Sequence, residues 1–256
     1  MVETRIQKYL SEAGVMSRRS AEDAIKRGEI KINGRLAEIG QKVIPDEDKI
    51  EYKGKEISAT KNKLVYVMLN KPVGYVTTLD DNKGRPCVAD LVKDVGTRIY
   101  PVGRLDLESE GLLLLTNDGE LTNRLTHPRH GIAKYYNVTV VGQVSMQTRK
   151  KLSSSMDIDG YIIQPVRHTV IEMKDDKTVL SMELFEGRNR QIRKMCEQCD
   201  LKVIKLRRVA IGNIQLGNLK PGSWRHLSRA QVDYLMLSCG LTKGRNRNER
   251  GKNTDA

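Results

Sequence analysis

The chain has 256 residues, enough for one full catalytic domain plus a small appendage, and its 38% apolar content with one Phe and one Trp requires a core built mainly from Leu, Ile and Val. Forty-five Lys and Arg against 32 Asp and Glu give a net charge of +13, which points to a polyanionic partner, nucleic acid first. The charged N-terminus lacks the apolar run of a signal peptide, no later stretch approaches membrane-spanning length, and four scattered cysteines form no dense framework, so a cytoplasmic protein with reduced thiols and no membrane partner is expected.

Taken in chain order, Ile6, Tyr9, Leu10 and Ala13 recur at helical spacing and Gly14 can cap the end, predicting a short amphipathic helix over residues 5–13. Ser17 or Ser20 can open a second helix through Ile25, Ser20-Ala-Glu-Asp23 fitting a capping-box-like pattern, and Gly28 stops it. Ile30-Lys-Ile32, Asn33-Gly34 and Arg35-Leu36 then read as a hairpin, because Asn-Gly accepts the positive φ of a tight turn. Residues 1–57 carry 12 basic and 11 acidic side chains, a net of only +1, but Arg18, Arg19, Lys26 and Arg27 gather on or just before the second helix. Such a cluster is either a phosphate-gripping face or a solvated helix surface.

The polar, aperiodic stretch 58–63 reads as a linker, and a larger domain spans 64–242. There, β-rich runs at Val65–Leu69, Leu112–Leu115, Tyr136–Val141 and Val179–Leu184 alternate with shorter helical patterns. The fold class is therefore α+β: a small helix-helix-hairpin domain followed by a domain with a large mixed, mostly antiparallel sheet flanked by helices. Cys196 and Cys199 have C-x-x-C spacing, but they continue an amphipathic run through Ile192 and Met195 and lack a second ligand pair, so packing is expected instead of metal or redox chemistry. His127-Pro-Arg-His130 has basic neighbours and no accompanying acid or cysteine cluster, which predicts a loop or phosphate contact. Residues 243–256 have five basic and two acidic groups and almost no apolar content, and are expected to form a disordered basic tail.

The most informative stretch is Gly103-Arg104-Leu105-Asp106, followed by Glu108, Glu110, Gly111 and the run Leu112–Leu115-Thr-Asn-Asp118-Gly119. Glycines that permit close backbone approach flank a cluster of carboxylates, next to a stretch that can only be a buried strand or segment. Spacing alone favours an ordinary acidic loop and leaves a pair of catalytic carboxylates open.

Three sets of residues carry a resemblance. Arg5-Ile6, Tyr9-Leu10, Ser17-Arg18-Arg19-Ser20 and Ile32-Asn33-Gly34 resemble the S4 RNA-binding module. Gly103–Asp106 with the Gly-Leu-Leu-Leu-Leu-Thr-Asn-Asp-Gly that follows resembles the signature of the RsuA/RluB-type pseudouridine synthases, supported by Leu69-Asn70-Lys71-Pro72, Lys134-Tyr-Tyr136 and Gly187-Arg188-Asn-Arg190-Gln-Ile-Arg193-Lys194. Lys220-Pro-Gly222-Ser-Trp224 is similar to the closing turn of the same family, with Trp224 in a structural role.

What the resemblance implies is an enzyme that detaches uracil from ribose, rotates it and rejoins it through carbon, with no metal, no cofactor and no second substrate. Asp106 would be the catalytic carboxylate, either bonding to the ribose anomeric carbon or stabilising positive charge there. Tyr136 would pack on the uracil, with Tyr135 its neighbouring rival, and strand alternation puts Tyr136, Val138 and Val140 on one face. Burial works against an ionised carboxylate, so a fixed cation is needed, and Arg193 matches the family position for it. A stacked base cannot reach such a residue, so the uridine must be flipped out, with Arg104 filling the gap or holding phosphate. Arg18, Arg19, Lys26, Arg27, Arg188, Arg190 and Lys194 complete the expected RNA contacts. Ribosomal RNA or a precursor ribosomal subunit is the implied partner, large-subunit RNA ahead of small-subunit RNA, and the protein is expected to be a monomer. A non-catalytic RNA-binding or ribosome-assembly protein is the competing class, though it has no need of this nucleophile-aromatic-arginine set, and a methyltransferase would need a glycine-rich nucleotide loop that is not seen.

Overall fold

The computed structural model describes residues 3–57, 63–127 and 131–241. They fall into two compact units, one of residues 1–65 with 94–99 and one of 66–93 with 100–256. Of the expected linker only Lys63 lies within the described residues, and Pro128–His130 and the tail from 243 onward lie outside them.

The first unit comprises β1 (Thr4–Arg5), α1 (Ile6–Glu12), α2 (Arg18–Lys26), β2 (Ile30–Ile32), β3 (Arg35–Leu36), β4 (Lys42–Val43), β5 (Ile50–Tyr52) and β6 (Lys55–Glu56). The helical spacing of Ile6, Tyr9 and Leu10 packs all three against Ala21, Ala24 and Ile25 of α2 and Ile30, Ile32 and Ile50 of the small sheet. The cap of α2 is Ser17, whose Oγ accepts from Ser20 N at 2.9 Å; Ser20 lies inside the helix and only its hydroxyl meets the cap, 2.6 Å from Ser17 Oγ. The capping-box pattern beginning at Ser20 is therefore not used, because Arg18 and Arg19 already have helical geometry. Asn33 and Gly34 both have positive φ, 51° and 78°, as the expected hairpin between β2 and β3 requires.

The second unit comprises β7 (Tyr66–Lys71), β8 (Tyr100–Pro101), β9 (Glu110–Thr116), α3 (Gly119–Thr126), β10 (Lys134–Val141), α4 (Met146–Leu152), β11 (Met156–Ile158), β12 (Tyr161–Ile163), β13 (Arg167–Met173), β14 (Lys177–Leu184), α5 (Gln191–Glu197), β15 (Val203–Ile211), β16 (Ile214–Gln215), β17 (Trp224–His226) and α6 (Arg229–Ser238). Seven strands run in the order β13-β14-β10-β15-β9-β7-β17, with β16 on β15 and β8 on β9. Every pairing is antiparallel except β9 with β15, so the sheet is mixed and mostly antiparallel, as the α+β reading requires.

Leu112–Leu115 form the buried centre of β9, each at most 3% exposed. Alternation sends Leu112 and Leu114 toward Leu121, Leu125, Leu235 and Met236 of α3 and α6, and Leu113 and Leu115 to the opposite face. Burying a leucine fully stabilises the fold by about 2 kcal/mol, so this run anchors the sheet on both sides. A complete capping box opens α6, in which Ser228 accepts from Gln231 N and the Gln231 side chain accepts from Ser228 N. Cys196 and Cys199 are buried with Ile192 and Met195, and burial pushes the Cys196 thiol up to about 12, the environment of a packing residue and not of a redox pair. Among the described residues no group of His, Cys, Asp and Glu could hold a metal ion, and no helix is long and apolar enough to cross a membrane.

Candidate active site

The loop between β8 and β9 carries Asp106 and is tied down from three sides. Gly103 turns it with φ +74°. Thr77 Oγ1 donates to Leu105 O at 2.6 Å and accepts from Leu105 N at 3.2 Å, and Gly74 N donates to Leu107 O at 2.9 Å. The third anchor is Lys71, the last residue of β7, which is fully buried. Its ammonium donates to Pro72 O at 3.0 Å, Asp106 O at 3.1 Å and Ser109 O at 2.8 Å, using all three protons on backbone carbonyls. Burial lowers its pKa to about 8, against the opposing pull of Asp106 and Glu110. On its other side β7 is locked by Asn70, whose side chain donates to Leu219 O at 2.7 Å while its backbone carbonyl accepts from Gly222 N. The Lys220–Trp224 turn therefore supports the Asp106 loop through β7.

Asp106 opens into a cavity of about 430 Å³, whose walls include Tyr136, Arg104, Arg188, Arg190, Leu184 and Leu206. Asp106 is the single carboxylate among its described lining residues, which include three arginines. Tyr136, 9% exposed, reaches this cavity from β10, with Val138 and Val140 buried on the same face. Tyr135 points the other way and donates to Glu183 at 2.8 Å, so alternation separates the two neighbouring tyrosines.

The opposite wall is the turn from Glu186 into α5. Arg190 caps α5 from the left-handed region, φ +52°, and its guanidinium donates to Glu108 at 3.0 Å. Gln191 closes the turn by accepting from Arg188 N at 3.0 Å and donating to Glu186 at 3.1 Å. Arg188 lies over the Tyr161 ring, 3.0 Å from its centroid. Lys194 pairs with Asp159.

Arg193 is placed differently from the expectation that it pairs with the Asp106 carboxylate. Its Nη2 donates to Glu108 O at 3.0 Å and its Nε lies 3.8 Å from the Glu108 carboxylate, and no ion pair joins it to Asp106 among the described residues. Glu108, two residues on in the same loop, intercepts it, and Arg190 followed by Arg193 holds the Glu108 carboxyl below its ordinary pKa. Arg193 therefore clamps the Asp106 loop to α5. Of the other expected RNA contacts, Arg104, Arg188 and Arg190 line the cavity, whereas Arg18, Arg19, Lys26 and Arg27 sit exposed in the first unit. Arg27 is already engaged in two hydrogen bonds with Glu29, at 3.0 and 3.1 Å.

Two residues with direct bearing on the site were given no role from the sequence, although Lys71 stands in one of the motifs that carry the resemblance. Lys71 ends an apolar run, where a lysine reads as the strand meeting solvent. Arg208 lies on β15 directly opposite Tyr136 and is 4% exposed; an arginine in Leu206-Arg207-Arg208-Val209 gives no signal of which face is buried.

Comparison with known proteins agrees with this geometry. Residues 65–198 match the model of the RNA pseudouridylate synthase family, and residues 4–50 match the S4 domain. A protein of Aquifex aeolicus described as an uncharacterized RNA pseudouridine synthase is 40% identical over 94% of this chain and 97% of its own length. The ribosomal large subunit pseudouridine synthase B of Bacillus subtilis is 38% identical over 90% of this chain and 95% of its own. A crystal structure of a pseudouridylate synthase superposes with a TM-score of 0.64 at 29% identity, covering 90% of this chain and 99% of that one. The chain therefore belongs to the RNA pseudouridylate synthase family and is an RsuA-type RNA pseudouridine synthase with an N-terminal S4 domain.

Proposed function

We propose that this enzyme isomerises one uridine of ribosomal RNA, in the large subunit, and that Asp106 is its nucleophile. The observation that carries the reading is the cavity of about 430 Å³ in which a single carboxylate, Asp106, faces Tyr136 among arginines. The name of the Bacillus subtilis relative favours the large-subunit substrate.

In the reaction the C1′–N1 bond of the flipped uridine breaks and its electron pair leaves with uracil. Asp106 adds to C1′ or stabilises the positive charge there. The base turns so that C5 faces C1′, the C1′–C5 bond forms, C5 loses its proton and N1 gains one. The product is an isomer of the uridine, one proton leaving C5 and one arriving at N1, so the chemistry has no task for a metal or cofactor. Tyr136 packs against the base, and Lys71 and Arg193 fix the Asp106 loop from its two sides as positioning residues. Flipping costs a few kcal/mol, least in a loop or bulge, and Arg104, Arg188 and Arg190 at the cavity meet the displaced backbone. Arg18, Arg19, Lys26 and Arg27 supply phosphate contacts from the S4 domain, and Lys194 adds charge beside α5.

The test is pseudouridine mapping of large- and small-subunit ribosomal transcripts and precursor particles, with the wild type and D106N in parallel. One new site in large-subunit RNA, lost in D106N with RNA affinity retained, is the expected result. A site confined to small-subunit RNA overturns the substrate, and undiminished turnover by D106N overturns the nucleophile.

A further inference from the structure

The active-site cavity adjoins a second, more enclosed inner chamber of about 120 Å³. The two spaces share Gly103, Arg104, Thr126, Tyr136 and Gly187 as walls. Asp106 belongs to the outer space alone, whereas Lys134 and Arg208 belong to the inner one alone. No carboxylate is among the described residues lining the inner chamber, so the one carboxylate of the two spaces, Asp106, stands at the outer end and Arg208 and Lys134 stand at the other, unaccompanied by an acid.

The positive end is built into the sheet. Arg208 is 96% buried by its 4% exposure, and its Nε donates to Leu112 O at 2.7 Å. Its Nη1 lies 3.5 Å from Tyr136 Oη, and its Nη2 finds no hydrogen-bond partner among the described residues. Lys134 stands two residues before Tyr136 on β10 and donates to Phe185 O at 3.2 Å; burial, then Arg208, pushes its pKa down. A buried guanidinium beside a half-buried second cation, with no acid lining the chamber they share, is costly to hold. Structural burial of arginine normally recruits a carboxylate. The uncompensated pair therefore points to a negative charge that develops during turnover.

We infer that Arg208, acting through Tyr136, together with Lys134 forms the positive end of the active site that stabilises the electron pair left on uracil when the C1′–N1 bond breaks. The inference rests on the uridine-isomerising site proposed above. In this step the carbon-nitrogen pair passes to the base and spreads over N1 and the two carbonyl oxygens, while the ribose cation is met by Asp106. The cavity thus opposes each product of the heterolysis with a group of opposite sign. Asp106 and the Arg208-Lys134 pair differ in role accordingly, since the pair carries no bond to substrate and Arg208 is a positioning residue whose charge is delivered at the phenol.

The leaving-group charge can be varied independently of the protein. Fluorine at C5 makes uracil a more acidic and better leaving base, so it needs less stabilisation. Single-turnover rates of target-nucleotide conversion would be measured for R208M, K134M and wild type, on RNA carrying uridine or 5-fluorouridine at the target position, by chromatographic separation of the nucleosides in nuclease digests. The expected result is a rate loss of about 100-fold on uridine for R208M, less than about tenfold on 5-fluorouridine, with RNA affinity within about twofold and a smaller loss of the same pattern for K134M. Equal losses on both substrates would mean that Arg208 serves only the fold, and no loss on uridine would mean that it has no part in the reaction; either overturns the inference. If R208M does not fold, R208K, which keeps the charge with fewer donors, is measured instead and should show an intermediate loss that again shrinks with fluorine. D106N on the same two RNAs separates the levels: its inactivity with substrate-independent R208M behaviour rejects the positive end alone, whereas an active D106N rejects the site on which it rests.

Discussion

Replacing Lys71 by methionine tests whether the Asp106 loop is held by a buried, depressed ammonium. K71M keeps the length of the side chain and removes three donors, leaving the carbonyls of Pro72 and Ser109 without this partner while Asp106 O keeps its bond from Ser109 N at 3.0 Å. At about 1 kcal/mol for each carbonyl so stranded, the loss is about 2 kcal/mol near neutral pH. The pH dependence is more discriminating. A lysine whose folded pKa of about 8 lies below its free value of 10.5 binds fewer protons folded than unfolded between those limits. Stability of the wild type therefore rises across that window, by about 1.4 kcal/mol per pH unit at most, or about 3 kcal/mol in all. The methionine variant has no such titration, so the difference between wild type and K71M should widen by about 3 kcal/mol from pH 8 to 10.5, which cancels every other group the two proteins share. Urea unfolding of both chains at half-unit pH steps measures it. A gap that stays constant or narrows would refute the depressed lysine, and with it the picture of an ammonium confined among carbonyls. Turnover at pH 7.5 should fall by about 100-fold, because a loop displaced by an ångström loses its alignment with the base.

Gly111 has φ +105°, and a Cβ there would stand 2.2 Å from Arg208 O and 2.8 Å from Arg208 N, both backbone atoms that cannot move without breaking the β9–β15 pair; G111A should destabilise the chain by more than about 3 kcal/mol in thermal or urea unfolding, and a loss below about 1 kcal/mol would show that the strands part easily. In the S4 domain, the triple substitution of Arg18, Arg19 and Lys26 by glutamine should weaken RNA binding without regard to sequence and reduce the slope of log K against log salt by about 2, read from filter binding at several salt concentrations, whereas an unchanged slope would remove this face from the interface.

The sequence was readable wherever a local rule decided the outcome. Ile6, Tyr9 and Leu10 announce α1 by their spacing, Asn33-Gly34 announces its hairpin, and Tyr136-Val138-Val140 announce a buried strand face. The expected strands were found at their centres but too short at their ends: the Leu112–Leu115 run belongs to Glu110–Thr116, and Tyr136–Val141 begins at Lys134. The ends were missed because hydrogen bonding to neighbouring strands, which no residue preference records, extends them. Ser17 and Ser20 looked equivalent as caps, and backbone geometry chose between them. What stayed invisible in the site depends on distant partners. Lys71 finds its acceptors in residues up to 38 positions on, and Arg193 is drawn to Glu108 by a loop 85 positions earlier in the chain. Arg208 could not be told from Arg207, since the face each presents is set by β9 and β10 on either side of β15.

The single parallel pair in the sheet, β9 with β15, has a temporal consequence. Parallel strands cannot be joined by a tight turn, and here Glu110 pairs with Arg207, about a hundred residues later in the chain, a separation of the kind that makes closure slow. Because the two strands point the same way, the segments that precede them, one carrying Asp106 and the other α5 with Arg190 and Arg193, arrive at the same end of the sheet only once that pair has closed. A growing chain emerging from synthesis therefore holds the carboxylate and its facing arginines apart until most of the protein has been made. Catalytic competence then reports the completion of folding, and an incompletely folded molecule can encounter RNA through its early, locally formed N-terminal domain without being able to alter it.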